Sequence, residues 1–129
     1  MSRSVLLQLA RDSIEEVLEA RRTIDINSLL QEHPLLNEPI PSRVNIYLNK
    51  KLRGSYAEDA NSLIEGIILN AKKSAFEDSS FSPISTSQYL SCEIEIVLET
   101  KEGLISEKDA PIIEETSSNT SLNALENLP

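Results

Sequence analysis

Val44-Asn45-Ile46-Tyr47-Leu48, followed at once by Asn49-Lys50-Lys51-Leu52-Arg53-Gly54-Ser55-Tyr56-Ala57, is the stretch from which the architecture of this chain is read. Val44, Ile46 and Leu48 alternate with polar neighbours, the period of a strand with one face on a core. Asn49-Lys50 reads as a hairpin turn, of uncertain type because it holds no glycine, and Leu52 to Tyr56 as the returning strand. Gly54 inside that strand predicts a bulge or the close approach of another group. The segment also gathers cations, a glycine, a hydroxyl and an aromatic, the features that attract ligands, so it is the expected working face.

Outward from this hairpin the period changes. Ala60, Leu63, Ile64, Ile67, Ile68, Ala71 and Ala75 form an apolar stripe at helical spacing over about 60–76, and Ser62 with Glu65 has the spacing of a capping box. Gly66 costs that helix about 1 kcal/mol relative to Ala, which close packing on a sheet would justify. Phe76, Phe81, Pro83 and Ile84 fall in a Ser- and Asp-rich loop. Cys92, Ile94, Ile96 and Leu98 then alternate with Glu93, Glu95 and Glu99, a second strand with its acidic face outward. Upstream, Leu6, Leu9, Ala10, Ile14, Val17 and Leu18 predict an amphipathic helix over 5–22, with Arg11 placed to pair with Glu15 and Arg21-Arg22 in the last turn. Asn27 or Ser28 would cap a short helix through Gln31, which Pro34 ends.

These periodicities predict an α+β domain: a mixed or antiparallel sheet holding 44–48, 52–56 and 92–99, with both long helices packed on one face. After Thr100 the pattern weakens, and Leu104-Ile105 and Ile112-Ile113 read as short strands. The domain is expected over 1–115. Residues 116–129, rich in Ser, Asn and Thr, read as a disordered tail despite Leu122, Leu125 and Leu128 at threefold spacing.

With 129 residues and no Trp, the core must come from Leu, Ile, Val and Ala. The one cysteine, Cys92, excludes an internal disulfide and suits a reducing compartment. No run approaches a membrane span, and acidic residues break the N-terminal apolar block of a signal peptide, so a cytoplasmic location is expected. The net charge of −9 argues against non-specific nucleic-acid binding. The charge is uneven: residues 1–57 carry eight Lys/Arg against seven Asp/Glu, and residues 58–129 carry four against fourteen.

Taken in order, an amphipathic helix, a strand, Leu52-Arg53-Gly54, an apolar helix with Asn70-Ala71, Phe76-Glu77-Asp78 with Phe81, Pro83 and Ile84, and the Glu93-Ile94-Glu95-Ile96 strand resemble the AMMECR domain family over about residues 5–100. The resemblance implies an α+β fold and a microbial setting shared with Memo-type and radical-SAM proteins. It brings no established molecular activity. The family pattern Leu-Arg-Gly-Cys-Ile-Gly reads here Leu52-Arg53-Gly54-Ser55-Tyr56-Ala57, so the thiol and the second glycine are replaced. The family's glycine-rich C-terminal region is short and unrecognisable after Thr100.

Arg53, Gly54, Ser55 and Tyr56 are the candidate binding residues. Arg53 offers a planar fork for a carboxylate or phosphate, and Gly54 would let a ligand reach the backbone; the competing reading pairs Arg53 with Glu93 or Glu95. Ser55 as a nucleophile needs a base, and the only histidine, His33, stands elsewhere beside Pro34. No catalytic residue is therefore assigned. One Cys and one His make no zinc set, no phosphate-cradling glycine loop exists, and no cofactor is expected. Arg43, Lys50, Lys51 and Arg53 with Tyr47 and Tyr56 form a small basic-aromatic patch, which solvated hairpin charges explain as well. The expected function is a non-catalytic binding or adaptor component alongside Memo-type and radical-SAM proteins. The competing one is an enzyme acting on a small anionic or nucleotide-like substrate held by Arg53.

Overall fold

The computed structural model describes residues 3–113. Four strands, β1 (Ser42–Leu48), β2 (Lys51–Tyr56), β3 (Glu93–Thr100) and β4 (Gly103–Lys108), form one antiparallel sheet in the order β2-β1-β3-β4. Helices α1 (Val5–Leu18) and α3 (Leu63–Phe76) pack against each other and against the sheet, α1 on β3 and α3 on β1 and β2. Two short helices, α2 (Ile26–Glu32) and α4 (Thr86–Ser91), flank them. The α+β architecture is the one that the two periodicities predict.

The core lies between this helical layer and one face of the sheet. Leu9, Ala10 and Ile14 of α1, Leu63, Ile64, Ile67 and Ala71 of α3, and Val44, Ile46, Ile94 and Ile96 of the sheet are all buried. The opposite face of the sheet carries Arg43, Asn45 and Tyr47 of β1 with Glu93 and Glu95 of β3. No helix of the described residues covers it, since α1 and α3 both lie on the buried side.

The helix ends differ from the sequence reading for local reasons. The Ser4 hydroxyl starts α1 by accepting from the Leu7 N–H at 3.2 Å. The helix stops at Leu18 rather than Arg22, because Ala20 turns left-handed at φ 55° and the Ala20 and Arg21 amides bond back to the Val17 and Glu16 carbonyls. Arg21 and Arg22 therefore lie beyond the last turn. Val17, expected on the buried stripe, is 44% exposed. Asp25, not Asn27 or Ser28, caps α2 by accepting from the Ser28 N–H. The third helix begins at Leu63 behind its cap Ser62, which leaves Ala60 exposed outside it. The reciprocal capping box occurs at α4, between Ser85 and Gln88, in a segment to which the sequence reading assigns no helix. Asn49 and Lys50 both have positive φ, 53° and 66°, which makes the hairpin turn type I′.

Leu104-Ile105 lies in β4 as expected, whereas Ile112-Ile113 forms no strand; the Ile113 N–H donates to the Leu90 carbonyl instead. The expected tail over 116–129 lies outside the described residues.

Candidate functional site

The pairing of β1 with β2 slips beside Arg53. Ile46 pairs with Gly54 and Tyr47 with Leu52, so Arg53 is the extra residue of a bulge. Its guanidinium turns off the sheet toward the α3–α4 connection. There Nη2 donates to the Ser82 carbonyl at 2.8 Å and to Gln88 Oε1 at 3.2 Å, and the group lies 5.1 Å from the centre of the Phe81 ring. The pairing with Glu93 or Glu95 weighed from the sequence is not the one formed. Arg53 ties the 78–88 segment to the free edge of β2.

Gly54 faces the helical layer. A Cβ there would overlap the main-chain carbonyl of Ser74 in α3. The group that approaches this glycine is thus the chain's own helix, in the place where the sequence reading put a ligand.

Ser55 lies on the uncovered face. Its hydroxyl donates to Asn45 Oδ1 and accepts from Arg43 Nη1, both at 2.7 Å. Asn45 Nδ2 and the Tyr47 hydroxyl donate in turn to Glu95 Oε1, each at 3.0 Å. Burial and the bond to Glu95 push the Tyr47 hydroxyl above its ordinary pKa. Lys108 stands 4.4 Å from the centre of the Tyr47 ring and 3.7 Å from Glu93. The outcome is a polar network running across all four strands, from Ser55 of β2 to Lys108 of β4. At the edge, the Ser55 N–H donates to Asp78 Oδ2. The Ser80 and Ser55 amides hold the Asp78 carboxyl below the usual range.

Tyr56 faces α3, where Lys73 Nζ lies 5.3 Å from its ring and pairs with Glu58 at 3.0 Å. The four candidate residues are therefore adjacent in sequence but point to three surroundings: Arg53 to the 78–88 segment, Gly54 and Tyr56 to α3, Ser55 to the open sheet. Two grooves run beside Arg3 and Asp109 and beside Leu35 and Ile40, and none of the four lines them.

Sequence reasoning missed a second polar centre, under α1. Arg11 is only 1% exposed and does not pair with Glu15. It grips Asp109 through two bonds of 2.8 and 3.1 Å, and donates also to the Tyr89 and Cys92 carbonyls. The Tyr89 ring lies 5.0 Å from the guanidinium, and the Tyr89 hydroxyl donates to Glu15. Burial alone would raise the Asp109 carboxyl; Arg11, the Ile94 N–H and Arg3 outweigh it and hold the group below the usual range. Burial pushes the Cys92 thiol up, away from the thiolate form. Asn70, fully buried, is satisfied by the Glu58 main chain and by Ser42, and pins the connection before α3 to β1. A charged residue at an apolar helix position, as Arg11 is between Ala10 and Ile14, is the sequence signal for such a centre.

His33 is the C-cap of α2, its backbone N–H bonded to the Leu29 carbonyl. Among the described residues no group of His, Cys, Asp and Glu could hold a metal ion, and no helix is long and apolar enough to cross a membrane.

A family model described as AMMECR1 matches residues 7–118. The crystal structure of an uncharacterized protein from Pyrococcus horikoshii is similar, with a TM-score of 0.63 and 26% identity over 72% of this chain. That alignment covers 48% of the Pyrococcus chain, so the present chain spans about half of its length. No curated protein matches the chain.

Proposed function

Since the chain belongs to the AMMECR1 family, we propose that it works as a non-catalytic binding or adaptor module, engaging Memo-type and radical-SAM proteins through the surface built on the β1–β2 hairpin. The observation that carries this reading is the bonding of Ser55. Its hydroxyl donates to an amide oxygen, that of Asn45, which does not take up the proton as a base would. An attacking hydroxyl needs such a base. The remaining groups on that face, Arg43, Asn45, Tyr47 and Glu95, are oriented by one another into a fixed pattern of donors, acceptors and charge. A rigid, flat, paired surface suits recognition of another protein better than enclosure of a small molecule.

Within this reading the four residues divide the work. Gly54 seats the strand against α3, and Arg53 fixes the 78–88 segment that borders the face. Ser55 contributes directly to the contact surface, and Tyr56 supports its edge. Titration calorimetry with a purified Memo-type protein and a purified radical-SAM protein tests the proposal. Saturable binding by the native chain, lost in Arg43→Glu with an unchanged far-UV spectrum, is expected. Turnover of a small anionic substrate that Ser55→Ala destroys and Arg53→Ala spares would replace the adaptor with an enzyme.

A further inference from the structure

The two edges of the sheet are built differently. The β2 edge is blunted: a bulge at Arg53 breaks its register, Asp78 occupies the outward N–H of Ser55, and Lys50 and Lys51 stand at its turn. The β4 edge also has a lysine at its turn, Lys101, but among the described residues it has neither the bulge nor the carboxylate on an outward amide. Its register with β3 is unbroken from Gly103 to Lys108, it contains no proline, and it exposes Leu104 at 71% and Ile105 at 55%. Among the described residues no strand lies beyond it.

The hydrogen-bonding parity of this edge is readable. The Asp109 N–H donates to the Ile94 carbonyl at 3.0 Å, so the odd-numbered positions of β4 turn their amides toward β3. Leu104, Ser106 and Lys108 then turn theirs outward. Ile105 pairs with the buried Leu98 and so projects on the core side, where it borders an apolar recess with Leu6, Ile96 and Leu98.

We propose that β4 pairs antiparallel with β4 of a second copy of this chain, joining two sheets edge to edge about a twofold axis at Ile105. Parity restricts the register, because outward-facing residues must meet outward-facing residues. An axis at Ile105 sets Leu104 opposite the second copy's Ser106, both with outward amides, and brings the two Ile105 side chains together on the core side. It also sets Glu102 opposite the second copy's Lys108, twice by symmetry. Moving the axis to Ser106 satisfies parity too, but places Leu104 opposite Lys108 and loses both charge pairs. An axis at Leu104 satisfies parity and sets Lys101 opposite the second copy's Glu107, but it parts the two Ile105 side chains beside the apolar recess; charge complementarity and apolar contact together select Ile105. A second copy is the occupant that uses both exposed apolar side chains and both ends of the strand.

Sedimentation equilibrium on the full chain, with hydrogen exchange at high and low concentration, tests the inference. A species of twice the chain mass is expected, with Leu104, Ser106 and Lys108 amides protected only at high concentration. Gly103, Ile105 and Glu107, bonded to β3, stay protected at both. Glu102→Lys should weaken association about tenfold or more by opposing two lysine pairs, and adding Lys108→Glu should restore it. A monomer at every concentration overturns the proposal. So does concentration-independent protection of the even-numbered amides, which would mean that another segment of the same chain covers the edge. Undiminished association of Glu102→Lys overturns the register.

Discussion

Asp109, just past the end of β4, closes a two-point ion pair with Arg11 in the middle of α1, the Nε–Oδ2 and Nη2–Oδ1 distances being 2.8 and 3.1 Å. Both side chains are almost wholly buried, at 1% and 3% exposure. The pair therefore joins the first helix to the last strand through the interior. The Tyr89 and Cys92 carbonyls accept from Arg11, and the Ile94 N–H and Arg3 donate to Asp109. Asp109→Asn should cost about 3–5 kcal/mol, since it leaves the Arg11 charge buried without its partner. Urea melts check it, and a loss under 1 kcal/mol would contradict the buried pair.

The same carboxyl gives a pH dependence. Its folded-state pKa lies below the unfolded value, so the unfolded chain binds the proton more readily. The contribution of the pair is complete above the ordinary carboxylate range, above about pH 4–5, and is lost as the pH falls through the folded-state value. Native protein should lose stability in acid more steeply than Asp109→Asn. Parallel acid titrations of the two, followed by far-UV circular dichroism, measure the difference.

How much of this was legible in sequence follows from how local each cause is. The β1–β2 hairpin, α3 and β3 were readable because each carries its own period: Val44 and Ile46, Ile64 and Ile67, Ile94 and Ile96 all reach the core. The bulge was foreseeable from Gly54, but not the direction of Arg53, which depends on Ser82 and Gln88 far along the chain. Arg11 and Asp109 are 98 residues apart, and no local pattern links them. The end of α1 misled because Ala20 adopts a conformation that usually announces itself with glycine.

Ile67 is fully buried near the centre of α3, the helix that packs on both the sheet and α1. Ile67→Ala should cost about 2–5 kcal/mol through lost apolar burial and the cavity left behind. Equilibrium urea unfolding reads this directly. An unchanged slope with a lowered midpoint would show that only stability, and not the compactness of either state, has changed.

At the hairpin, Lys50 holds a positive φ of 66° that an L side chain adopts only with strain. Lys50→Gly gives the Asn-Gly pair that type I′ turns favour. The gain should be about 0.5 kcal/mol, because part of the relieved strain is offset by the greater freedom of glycine in the unfolded chain. Thermal melts should rise slightly. A lower midpoint would mean that the Lys50 side chain makes a contact worth more than the strain.

Gly54 and Gly66 both lie between α3 and the sheet, and they should respond oppositely to the same added methyl. At Gly66 the new Cβ would stand 3.2 Å from Ser42 Oγ, a side-chain atom that can rotate, and helix propensity favours Ala by about 1 kcal/mol. Gly66→Ala should therefore be close to neutral. At Gly54 the obstacle is the Ser74 carbonyl, a main-chain group in the last turn of α3, so relief requires the helix or the strand to move. Gly54→Ala should cost about 1–3 kcal/mol and lower the melting midpoint by several degrees. The comparison also separates two meanings of the Leu52-Arg53-Gly54 segment. Were the glycine present for a ligand, Gly54→Ala would keep the native midpoint and lose binding alone. With the helix as the approaching group, stability falls first, and any loss of partner binding scales with the unfolded fraction. Measuring both quantities on one preparation, with Gly66→Ala beside it, decides which group Gly54 accommodates.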